Sequence, residues 1–158
     1  MATQKDFTAD EWKNVAAAPY LAGLIVTMAD VSGLIGVAKE AAAVGKVIMD
    51  SAASSSSELV RALGESFKSG ARPEMPAIPK DREQARTSFV ETCKLAASTV
   101  AAKSPADAQE FKTWLMSIAK AAANATKEGG FLGFGGTTVS EKEQAALTQL
   151  GGALGVAV

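Results

Sequence analysis

Ser104-Pro105-Ala106-Asp107, followed by Phe111, Leu115, Ile118, Ala122 and Ala125, decides the fold class of this chain. Serine is a favoured N-cap, and proline is tolerated at the first helical position because its missing N–H would have had no partner there. Asp107 adds a negative charge in the first turn, where the helix dipole is positive. The apolar residues then recur every three or four positions, as one stripe of a helix requires. Gly129 and Gly130 close the pattern in the way left-handed glycines commonly end helices.

The same punctuation extends in both directions. Upstream, Asp81 opens a helix whose stripe is Ala85, Phe89, Cys93, Ala96 and Val100 and which stops near Ser104. Downstream, Ser140 with Glu143 forms a capping box for a last helix through about Leu150. Near the start, Thr8 with Glu11 makes a second capping box, and Phe7 and Trp12 stand where a hydrophobic staple would hold the chain. That helix carries Val15 and Ala16 to Pro19, whose fixed φ and absent N–H predict a kink or a restart. Leu21, Leu24, Ile25 and Met28 continue the stripe.

Asp30 is positioned to cap a following helix in which Leu34, Ala38, Ala41, Gly45, Ile48 and Ala52 form a seam of small and apolar residues. The seam lets a neighbouring helix approach closely, within the bundle or across a homodimer. Ser54-Ser55-Ser56-Ser57 breaks that helix. Ser55 lies three before Glu58, which predicts a capping box ahead of Val60, Leu63 and Phe67, and Gly70 ends this short helix.

No segment reads as a strand. The expectation is an all-α fold: one domain over residues 1–158, a compact antiparallel bundle of about five helices, with a Pro-rich strap at 70–80 and a Gly/Phe loop at 129–139. A length of 158 residues suffices for a core that needs no metal or disulfide staple.

Composition excludes several functions. The net charge is −1 and the 16 basic residues are scattered among 17 acidic ones, so no stripe is available to neutralise nucleic-acid phosphates. Histidine is absent, which removes the commonest general base and the commonest transition-metal ligand. The single cysteine, Cys93, lies on the apolar stripe beside Phe89 and Ala96 and reads as an inert buried thiol. Asp107 and Glu110 are three apart, and their place in the first turns after Ser104 explains them as dipole and cap residues. Lys46 and Asp50 form an i, i+4 pair on a solvated face beside Lys39 and Glu40. Neither a catalytic constellation nor a metal or cofactor site is expected.

The segment from Val15 to Val37 has Asp30 as its only formal charge, yet Pro19, Thr27, Asp30 and Ser32 interrupt the roughly 20 apolar residues that a spanning helix needs. Membrane spanning is not expected. The opening residues lack the apolar core of a secretory signal, so the reading is a soluble cytoplasmic protein.

Two segments stand out as candidate surfaces. Lys127-Glu128-Gly129-Gly130-Phe131-Leu132-Gly133-Phe134-Gly135-Gly136 superficially has the glycine spacing of a phosphate loop. Gly136 and Thr137 stand where lysine and serine or threonine are needed, and the loop leaves a helix C-terminus, where the dipole repels anions. The reading is therefore a hinge in which Phe131, Leu132 and Phe134 plug the bundle, or in which one or both phenylalanines anchor a partner or a membrane surface. Pro73, Pro76 and Pro79 recur every third residue, along one edge of a polyproline helix, with Met75 and Ile78 suited to pack back onto the bundle. No basic residue lies at the offset an SH3-type groove reads. The apolar Val156-Ala157-Val158 is expected to fray.

The function expected from these features is non-enzymatic: an interaction surface on a helical bundle, engaging a second copy or another protein. The alternative is a carrier of a small apolar ligand or lipid in an internal bundle cavity, one lined by Leu24, Ile48 and Phe111.

Overall fold

The computed structural model describes residues 2–29, 34–128 and 139–158. Among these residues a short 3₁₀ turn at Gln4–Asp6 is followed by six α-helices: α1 (Ala9–Thr27), α2 (Leu34–Ala53), α3 (Glu58–Lys68), α4 (Arg82–Lys103), α5 (Pro105–Glu128) and α6 (Glu141–Leu154). They pack as a compact all-α bundle, and no strand occurs among the described residues. Helix α1 is the central element: it packs most extensively on α4 and α5 and also touches α2 and α6. The core is continuous through Val15, Leu21, Ile25, Ile48, Leu63, Phe89, Val100, Phe111, Leu115, Ile118 and Leu150.

Most boundaries follow from their local chemistry. Thr8 accepts the Glu11 N–H while Glu11 returns to the Thr8 N–H, and Phe7 lies 5.6 Å from Trp12 between ring centroids. Ser140 and Glu143 repeat the reciprocal pair at α6. Asp81 caps α4 through the Gln84 N–H, and Pro105 is the first residue of α5. Gly70, at φ 95°, closes α3: its N–H bonds the Phe67 carbonyl and the Ala71 N–H bonds the Ser66 carbonyl, a Schellman arrangement.

Four expectations change. Pro19 does not restart α1, which runs unbroken with Pro19 buried inside it. Val15, Ala17 and Ala18 before the proline and Leu21, Ala22, Ile25 and Val26 after it are all buried, so packing on α4 and α5 outweighs the one lost hydrogen bond. The cap of α3 is Ser57, not Ser55: the Ser57 hydroxyl accepts the Val60 N–H at 3.1 Å. The last helix continues past Leu150 to Leu154. The tail expected to fray is folded back onto α6: the Val156 N–H bonds the Gly151 carbonyl and Val158, though exposed, packs over Gly151.

Of the small-residue seam on α2, Ala52 makes a close approach and Gly45 does not. A Cβ added at Gly64 would lie 2.4 Å from the Ala52 Cβ, and one at Gly23 would lie 2.5 Å from Val44 Cγ1, whereas one at Gly45 would meet nothing within 4 Å among the described residues. The α2–α3 contact therefore rests on Ala52 against Gly64.

Candidate functional site

Among the described residues, polar and apolar chemistry meet in a buried serine–carboxylate junction, in a groove between α2 and α3, and in a recess under the strap. In the junction, Asp107 is only 7% exposed. Its Oδ1 accepts the Ser57 hydroxyl at 2.7 Å and its Oδ2 accepts the Ser104 hydroxyl at 2.5 Å, with a further bond from the Leu59 N–H. Leu59 lies in the first turn of α3 and Asp107 in the first turn of α5, so one carboxylate serves the positive ends of two helices. Burial alone would raise its pKa, but the bonds from Ser104, Ser57 and Leu59 together hold it below the ordinary aspartate value.

Glu110, one turn on, accepts the Ser55 hydroxyl at 2.9 Å, and Ser55 in turn accepts the Ser57 N–H at 3.2 Å. Arg61 closes the serine tract by donating to the carbonyls of Ser55 at 2.6 Å and Ser56 at 3.1 Å. Trp114 on α5 donates to the Ser51 hydroxyl at 2.8 Å. A carboxylate held below its usual pKa is a weaker base than a free one, and its serine partners donate toward it. The junction has the chemistry of a clamp rather than of an activated nucleophile.

The groove between α2 and α3 encloses about 700 Å³. Met49, Ala53, Ala62 and Gly64 supply its apolar surface, while Asp50, Arg61, Glu65 and Lys68 stand around it. The Ala52–Gly64 contact brings the two helices close enough to form it. Lys46 and Asp50 make the expected i, i+4 pair at 2.6 Å on the same helix, and both are exposed.

The strap runs from the Gly70 cap to Lys80. Pro73, Pro76 and Pro79 are each half-buried, and Met75 packs against the core, whereas Ile78 is 61% exposed and does not return to the bundle. Glu74 ties the strap to α1 through Lys13 at 2.5 Å. Beside Pro73 a recess of about 240 Å³ opens between α1 and α3.

Phe131, Leu132 and Phe134, together with Gly129 to Thr138, Asp30 and the side chains of Leu34, Ala38, Ala41, Lys39, Glu40 and Ala125, lie outside the described residues. Cys93 is fully buried, and desolvation pushes its thiol far above the ordinary range. Ile48 and Phe111 are also fully buried, and neither they nor Leu24 lines the groove or the recess. Among the described residues no group of three His, Cys, Asp or Glu side chains is arranged to hold a metal ion. No helix among them is long and apolar enough to cross a membrane.

The residues missed in the sequence are Ser55, Ser57 and Glu110 as a cross-link, and Trp12 with Phe67 as walls of one recess. The Ser tract and the Asp107/Glu110 pair share close spacings, two and three residues, which is the one signal that linked them. Compared with known protein families, with curated proteins and with solved structures, the chain finds no match.

Proposed function

We propose that this chain is a non-enzymatic helical-bundle protein that acts through a protein–protein contact, and that the contact is self-association through the α2–α3 groove. The observation that carries the reading is the make-up of that groove. Its apolar surface is surrounded by two acids, Asp50 and Glu65, and two bases, Arg61 and Lys68. A two-fold contact sets a patch against its own copy, so each charge must find its opposite within the same patch. A rim with equal numbers of both signs meets that condition, and a rim of one sign does not.

Arg61 Nη2 lies 3.9 Å from Glu58 and Lys68 lies 3.8 Å from Glu65, the first pair half-exposed and the second well exposed, while Arg61 Nη1 keeps its bonds to the Ser55 and Ser56 carbonyls. Exposed pairs of this kind contribute about 0–1 kcal/mol, so exchanging them for contacts across a two-fold axis costs little. The clamp chemistry of Asp107 and the inert Cys93 thiol support a non-enzymatic role. A reducing cytoplasm suits a free buried thiol.

Ala53 and Ala62 are both exposed within the groove. Native mass spectrometry and light scattering through the micromolar range are expected to give a dimer for the parent chain and a monomer for Ala53→Glu/Ala62→Glu, with unchanged helicity. A parent chain that stays monomeric, or a dimer that survives both substitutions, overturns the proposal.

A further inference from the structure

We infer that the recess between α1, α3 and the strap binds a small organic carboxylate with an aromatic or aliphatic body. The recess is built before any ligand arrives. Its aromatic walls are Trp12 and Phe67, and each ring is fixed by a second ring: Trp12 by Phe7 at 5.6 Å, and Phe67 edge-on by Tyr20 at 5.2 Å and 78°. Leu63 and the rigid ring of Pro73 complete the apolar lining. Rings held in place lose little freedom on binding, which favours affinity for a flat or compact apolar group. A volume of about 240 Å³ equals roughly eight water volumes, room for a phenyl ring and a short chain.

Charge selects the other end of the ligand. Lys13, Arg72 and Glu74 border the recess, and Lys13 is engaged by Glu74 at 2.5 Å. Arg72 is exposed and has no ion-pair partner among the described residues, so the recess keeps one uncompensated guanidinium. A guanidinium fork matches a carboxylate in two parallel hydrogen bonds. The carbonyl end of α3 also borders the recess, but Gly70 and Ala71 N–H groups occupy the Phe67 and Ser66 carbonyls and blunt repulsion of an anion. A simple inorganic anion would leave Trp12 and Phe67 unused, and a neutral apolar molecule would leave Arg72 unused. The carboxylate with an apolar body uses both.

The test is an NMR titration of the full chain with 3-phenylpropanoate, read at the indole N–H signals. Trp12 is expected to shift to saturation while Trp114, which is bonded to Ser51 and does not line the recess, stays in place. Arg72→Gln, or replacing the probe by its neutral amide, is expected to weaken binding about tenfold, the loss of one charge-assisted contact. A Trp12 signal that does not respond overturns the inference. Equal binding of the amide, or equal binding by Arg72→Gln, overturns the carboxylate assignment. Arg72 is exposed, so the variant keeps its fold, and the Trp114 signal verifies this.

Discussion

Ser57 and Asp107 join the starts of two helices fifty residues apart: the Ser57 hydroxyl accepts the Val60 N–H at 3.1 Å and donates to Asp107 Oδ1 at 2.7 Å. The serine is thus a cap for α3 and a donor to the carboxylate in the first turn of α5. Asp107→Ala strands the Ser57 and Ser104 hydroxyls and the Leu59 N–H at once. Urea unfolding is expected to show a loss of about 3 kcal/mol for Asp107→Ala and about 1–2 kcal/mol for Ser57→Ala. Because both remove one shared bond, the double variant should lose clearly less than the sum. Strict additivity would mean that the pair is not energetically linked.

The same carboxylate gives the fold an acid-sensitive contact. Folded Asp107 holds its proton less tightly than an unfolded aspartate, because the bonds from Ser104, Ser57 and Leu59 outweigh the opposing effect of burial. Its contribution is therefore complete above the unfolded pKa, declines as the pH falls through that value, and is gone below the folded one. Stability measured from neutral pH down to about pH 3 should fall less steeply for Asp107→Asn than for the parent chain. Parallel curves would show that other carboxylates set the acid response.

The helices were legible because their ends are written in local chemistry: Thr8 with Glu11, Asp81, Pro105, Ser140 with Glu143, and Gly70. The register of the serine tract was not, since Ser55 and Ser57 are chemically alike and the choice between them is made by Glu110 and Asp107, 55 and 50 positions away. Pro19 left a kink and a restart both open for a related reason: its local cost is visible in the sequence, while the packing on α4 and α5 that keeps α1 continuous is not. The strap divided likewise, with Met75 returning to the core and Ile78 staying in solvent. The two grooves were illegible altogether, because each draws residues from elements whose adjacency no spacing encodes.

Cys93 offers a direct probe of opening motions. It has no exposed surface, its Sγ donates to the Ala18 carbonyl at 3.6 Å, and burial raises its pKa, so no reactive thiolate is presented by the folded chain. A thiol-specific reagent at neutral pH should label the native protein only as fast as the core opens, and stoichiometrically in denaturant. Labelling at the rate of a free thiol under native conditions would contradict this burial.

The Ala52–Gly64 contact predicts opposite outcomes for the same substitution at two glycines. Gly45 and Gly64 both lie within helices, where Gly→Ala is worth up to about 1 kcal/mol in helix propensity. At Gly45 the added methyl meets nothing within 4 Å among the described residues, so Gly45→Ala should gain most of that stability. At Gly64 the methyl would lie 2.4 Å from the Ala52 Cβ, too close for two carbons, so α3 must move off α2. Overpacking of this kind costs about 1–3 kcal/mol, so Gly64→Ala should be destabilising despite its better propensity. Exchanging the two residues, Ala52→Gly with Gly64→Ala, restores one methyl to the contact and returns the composition to its original balance. Thermal or urea unfolding should therefore place the exchanged variant above Gly64→Ala and near the parent chain. An exchanged variant as unstable as Gly64→Ala would show that the methyl must belong to α2, and that a simple count of one methyl per contact does not govern how these two helices meet.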